Sequence, residues 1–203
     1  MLNLDVLANF LEDKGFQSPE TGQLFFPAYI YCYPPEQEYL FREELDKMLL
    51  RLKRPNHYLD CLKLDLFELL TQYLKDTAFG GQSLFDLLVK REKEDPDEAL
   101  GWIADEANSI QFYKYIEQII DNHFGTYNNN KRVYLLVCGV GNVYPYLRAS
   151  SFLKNTEHLI KRFKIILFYP GAYSLSNYCL FGHLNHENIY RANLLNDLIP
   201  FST

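Results

Sequence analysis

The residues whose types and spacing best suit chemistry are Gly139, Gly141 and Asn142, which follow the apolar run Val133–Cys138. Glycines at a strand end let the backbone N–H groups approach a phosphate closely, as in the G-x-G-x-x-G turn that holds dinucleotides. That turn needs a third glycine three residues after the second, where this chain has Tyr144. The acidic residue expected about 20 positions further on, to bind a ribose, is also missing. No P-loop pattern of a glycine followed five residues later by Gly-Lys-Ser/Thr occurs anywhere. The simpler reading is a tight strand-to-helix turn, with a small-molecule or nucleotide site spanning Gly139 to Arg148 as the alternative.

Other constellations are weaker. His183 and His186 beside Glu187 have a spacing at which two imidazoles could meet one metal, but not the HExxH pattern of a zinc protease, and solvated loop histidines are the simpler reading. Cys138 lies inside an apolar strand, where a thiolate is costly. Ser174 and Ser176 lack the GxSxG elbow. The expectation is therefore a protein that is not an enzyme, with no catalytic residue, no metal and no cofactor. Arg148 and Arg191, each set among aromatics, fit either an anchor for a carboxylate, phosphate or partner protein, or a structural salt bridge.

The elements that must position these groups alternate between strand and helix. Residues 2–14 read as a short amphipathic helix ending before Gly15, and 28–33 as a strand closed by Pro34-Pro35. A helix to Leu52 and a strand over 58–64 follow. Asp65 with Glu68 resembles a capping box for a helix over 66–75. Ser83 caps a helix through Lys90, and Asp95-Pro96 starts one long helical stretch to Gly125. The central strand feeds a helix beginning near Pro145, and 163–169 is another buried strand. The tail from Tyr178 is left unassigned. The pattern predicts one α/β domain over 1–203, with a mostly parallel sheet and helices on both faces: three layers, NTPase-like or Rossmann-like without either nucleotide fingerprint.

Composition narrows the function. The chain has 203 residues, 48% of them hydrophobic, which suits a folded domain with a core of its own. A net charge of −6 argues against broad phosphate binding, so direct DNA contact is not expected unless Arg148, Arg191, Lys161, Arg162 and Lys164 converge. Sixteen tyrosines favour partly buried contact surfaces and hence work within an assembly. No apolar run can span a bilayer, the N-terminus lacks a basic signal region, and four cysteines without CxxC spacing read as reduced thiols; a cytoplasmic protein is expected.

Several segments, taken in order, carry a resemblance. They are Pro27 to Glu38 with Phe41-Arg42-Glu43-Glu44, then Leu62 to Leu70, then Gly139-Val140-Gly141 with Tyr144-Pro145-Tyr146-Leu147-Arg148-Ala149. Leu167 to Gly171 (with Pro170-Gly171 and Tyr173 after it), Leu180-Phe181-Gly182 and Tyr190-Arg191-Ala192 complete them. This pattern resembles the BrxB family of bacteriophage-exclusion (BREX) defence systems. Two positions depart from it: Ser150 stands where a histidine often follows the Arg-Ala pair, and Ser174 to Tyr178 replaces a glycine and a polar residue. The resemblance implies an accessory subunit without established catalysis. It would work beside a PglZ-type protein, the expected first contact, an AAA+ ATPase (BrxC) and an adenine-specific DNA methyltransferase (PglX).

Overall fold

Along the central strands of this chain, successive side chains enter two different apolar cores, which is why the strands read as unbroken hydrophobic runs. A computed structural model describes residues 4–17, 28–125, 133–175, 177–184, 186–189 and 192–199. Helices α1 (Asp5–Glu12) and α2 (Lys14–Gln17) precede strand β1 (Ala28–Tyr33), helix α3 (Glu38–Leu52), strand β2 (Asp60–Asp65) and helix α4 (Leu66–Asp76). A small hairpin, β3 (Ala78–Phe79) and β4 (Gln82–Ser83), leads to α5 (Leu84–Glu94), α6 (Pro96–Ala107) and α7 (Ile110–Phe124). Strand β5 (Val133–Cys138), the turn α8 (Val140–Val143), α9 (Ala149–Asn155) and β6 (Lys164–Ser174) follow. The short strands β7 (Asn177–Leu180), β8 (His186–Glu187) and β9 (Asn193–Leu194) come last.

The main sheet runs in the order β2-β5-β6-β1-β9, all parallel, and a β7–β8 hairpin joins the far half of β6 antiparallel. Ile30, Leu135, Val137, Ile165 and Leu167 point to one face, under α4, α7, α8 and α9. Tyr29, Leu136, Ile166 and Phe168 point to the other, under α1, α2 and α3. Each such side chain, fully removed from water, contributes about 1.5–3 kcal/mol. The expected α/β class, with a mostly parallel sheet between helical layers, is what the chain adopts.

Four expectations differ in detail. Helix α1 ends at Glu12 with Asp13 extended, and a separate helical turn, α2, carries Gly15. The long helical stretch is two helices, broken at Asn108-Ser109, where Ser109 Oγ caps α7 by accepting from the Phe112 N–H at 3.1 Å. No helix begins at Pro145. The strand exit is a four-residue turn, and the following helix begins at Ala149. Finally, β6 does not stop at Tyr169: it runs on through Pro170 and Gly171 because β7 pairs with that extension.

Candidate functional site

The carboxyl ends of the parallel strands gather on one edge of the sheet, the edge where α/β proteins place their sites. Its charged centre is a set of side chains from four elements, β1, α3, β2 and β5. Asp65 closes β2 and caps α4, its Oδ1 accepting from the N–H groups of Phe67 (3.0 Å) and Glu68 (3.3 Å). Its Oδ2 accepts from Arg42 Nη1 at 2.9 Å, and the Cys138 thiol donates to the same oxygen at 3.7 Å. Arg42 Nε reaches Glu38 Oε1 one turn back on α3, at 2.7 Å, and Glu38 Oε2 accepts from the Tyr33 hydroxyl. Within this set Arg42 Nη2, also buried, has no hydrogen-bond partner among the described residues.

Electrostatics make this set a clasp between layers. Burial opposes the Arg42 charge, but the Glu38 bond and the Asp65 carboxylate outweigh it and raise its pKa. Burial, then the Asp65 charge, push the Cys138 thiol up to about 12, so it is no thiolate nucleophile near neutrality. Burial and the Glu38 contact raise the Tyr33 hydroxyl in the same sense. Both carboxylates are occupied by donors within the chain. Sequence reasoning missed the Arg42–Asp65 pair. Its signals were the capping position of Asp65 and the i,i+4 spacing of Glu38 and Arg42.

The glycine turn packs against this clasp. Gly139 has a left-handed backbone, φ 79°, and a Cβ there would lie 2.5 Å from Asp65 Oδ1. An acidic oxygen so close to the turn disfavours a phosphate. Gly141 needs no unusual φ. A Cβ on it would sit 2.8 Å from the Phe181 ring and 3.1 Å from Pro170 Cγ, so it is glycine for close approach. The structure thus brings Gly139, Gly141, Pro170 and Phe181 together. Gly171 is pressed against β7, where a Cβ would meet the Cys179 carbonyl oxygen at 2.2 Å.

The remaining candidates lie outward. Asn142 is exposed and Tyr144 half-buried, packed against the core under α4 to α9. Arg148 precedes the first residue of α9 and is exposed; its carbonyl accepts from the Phe152 N–H at 3.0 Å, while its side chain has no ion pair or hydrogen bond among the described residues. Tyr190 and Arg191 lie outside the described residues, so their meeting with Arg148 is not described. Of the basic set, two described members are engaged elsewhere: Lys164 is buried at the opposite edge of the sheet, where it donates to the Phe16 carbonyl, and Arg162 pairs with Asp121 at 2.7 Å. His183 is exposed with Nδ1 2.9 Å from the Phe181 carbonyl oxygen, and no group of three potential metal ligands occurs among the described residues.

Apolar side chains also stand open at this edge. Tyr39, the second residue of α3, is 90% exposed, and Ile110, the first of α7, 70% exposed. Asn108 Nδ2 donates to the Tyr146 carbonyl at 2.9 Å, which ties the start of α7 to the segment before Arg148. Tyr173 and Leu175 lie at the β6–β7 tip, beyond the end of the parallel ladder. Exposed apolar groups occur elsewhere too, at Leu50, Tyr58 and Phe79. What singles out the tip is its backbone: Leu175 has φ 50°. A left-handed conformation costs a residue with a Cβ roughly 1–2 kcal/mol.

Fold and site together define a doubly wound α/β protein whose glycine turn is filled by its own side chains and whose strand-end edge is open. The sequence profile described as BREX protein BrxB matches residues 62–195, well over half of the chain. The chain belongs to that family, which makes it a component of a BREX phage-defence system. It is similar to the BREX protein BrxB of Bacillus cereus (strain H3081.97), 28% identical over 190 residues that cover 94% of this chain and 91% of the relative. A second relative of the same description, from Escherichia coli O9:H4 (strain HS), is 25% identical over 195 residues, covering 95% and 89%. No solved structure matches the chain. No helix among the described residues is long and apolar enough to cross a membrane.

Proposed function

We propose that this chain is a non-enzymatic adaptor that bridges other subunits of a BREX complex through the carboxyl edge of its sheet, with a PglZ-type subunit as first partner. The observation that carries the reading is Arg148, an exposed guanidinium with no ion pair among the described residues, on an edge that also exposes Tyr39 and Ile110. Arginine and tyrosine are both enriched in interface hot spots. The mutual pairing of Asp65, Arg42 and Glu38 and the protonated Cys138 support a structural role for the charged centre. A ligand site at Gly139 to Arg148 is the weaker reading, because Phe181 and Asp65 crowd both glycines. Affinity capture of the tagged chain from a host carrying the intact system tests the proposal. Other subunits of that system should co-purify, and recovery of this chain alone overturns it.

A further inference from the structure

The outward stripe of α3 carries its own complement. The buried face of this helix holds Phe41, Leu45, Met48 and Leu52. The opposite face exposes Tyr39 (90%), Glu43, Lys47 and Leu50 (73%) at helical spacing. Glu36 and Arg54, both exposed, continue the stripe just beyond the two ends of the helix. From Glu36 to Arg54 the order is acidic, apolar, acidic, then basic, apolar, basic, and the sign reverses about Leu45. Lys47 lies 2.7 Å from Glu43 within the helix, but the side chains of Glu36 and Arg54 have no ion pair or hydrogen bond among the described residues. Asp46, also exposed near the middle, is held to one side by Lys63 at 2.6 Å. Acid at the start and base at the end suit the helix dipole. Two open apolar residues at matching distances from the middle do not follow from it.

We infer that the α3 stripe docks on the same stripe of a second copy of this chain, antiparallel about a two-fold axis. That arrangement sets Glu36 against Arg54, Tyr39 against Leu50 and Glu43 against Lys47 of the second copy, and the two-fold repeats each pair in the reverse sense. A parallel pairing in register would put each charge against its like. A different partner has no need of a stripe that matches itself, which makes the second copy the occupant. The 15 residues of α3 span about 22 Å. A single helix pair of that length buries less than the roughly 1,200 Å² of a standard interface, so the dimer is weak and concentration-dependent. The contact goes beyond the adaptor reading. It uses Tyr39 of the strand-end edge but not Arg148, since α3 and α9 cover opposite faces of the sheet.

The test is sedimentation equilibrium of the purified chain without other subunits, for the parent, Glu43→Lys, Lys47→Glu and an equimolar mixture of the two variants. Both side chains are exposed, so each variant should melt within about three degrees of the parent. The parent should dimerise with a dissociation constant below about 1 mM, and more weakly as salt rises. In each variant alone, positions 43 and 47 carry one sign, and association should be at least about tenfold weaker. The mixture sets opposite signs across the axis again and should associate within about threefold of the parent. A parent that stays monomeric to about 1 mM overturns the contact. A variant that associates as well as the parent overturns it by placing the interface elsewhere. A mixture that associates no better than its components overturns it by making the charges incidental. The adaptor reading stands or falls separately, on capture of other subunits.

Discussion

At the residue scale, Asp65 performs two tasks with one carboxylate: it caps α4 and it holds Arg42 of α3 on the other face of the sheet. Asp65→Ala removes the cap and leaves the Arg42 charge without its buried partner. Because Arg42 is about one-third exposed, water recovers part of that loss, and a total of about 3 kcal/mol is expected. Urea melts of Asp65→Ala, Arg42→Ala and the double variant should show the double costing clearly less than the sum, since both remove one interaction. A strictly additive cycle would separate the two residues and undo the clasp.

The thiols set a pH dependence at the same scale. Burial raises Cys61 and Cys138 from an ordinary value of 9.0 to about 12. Below about pH 9 both are protonated in either state, and their contribution is fully present. Between about 9 and 12 only the unfolded chain ionises, so stability falls as pH rises, by up to about 1.4 kcal/mol per pH unit for each thiol. Melts from pH 7 to 10.5 should show this decline, shallower in Cys61→Ala. A slope unchanged in that variant would locate the alkaline loss elsewhere.

At the element scale, the strand β5 and the turn after it are legible in the sequence, because a continuous apolar run ending in glycine has few alternatives. What the glycines are for is less legible, since Phe181, which fills the space at Gly141, lies 40 residues further on. Gly141→Val should therefore destabilise by about 1–3 kcal/mol through overpacking. Phe181→Ala in the same chain should recover part of that cost by vacating the space. No recovery would mean that the valine disturbs the turn itself. The break between α6 and α7 was hidden because apolar spacing continues through Ile103, Ala107 and Ile110. Ile110 does not join that face at all, being mostly exposed. The extension of β6 was hidden by Pro170 and Gly171, which read as a stop. Its antiparallel partner β7 is what keeps it in the sheet.

At the scale of the whole molecule, the net charge of −6 is unevenly spread. The segment 84–107, spanning α5 and α6, holds eight acidic and three basic residues, so the rest of the surface is nearly neutral. Among the described residues, Lys164 is buried and Arg162 is paired with Asp121, which withdraws both from the set that duplex DNA would need. On the proposed reading, the edge bearing Arg148 meets a partner protein instead. Arg148→Ala should leave the melting temperature within about a degree, as expected for an exposed residue. It should weaken binding to the partner subunit by about 2 kcal/mol. A fall in melting temperature with binding intact would make Arg148 a structural residue.

Bridging makes the most direct demand, because an adaptor must hold two different subunits at once. Two purified subunits of the system, mixed without this chain and then with it, can be followed by size-exclusion chromatography. The two should migrate separately alone and together in one peak that contains this chain when it is added. If each subunit binds the chain only in the absence of the other, or if the two associate equally well without it, the chain is not their bridge.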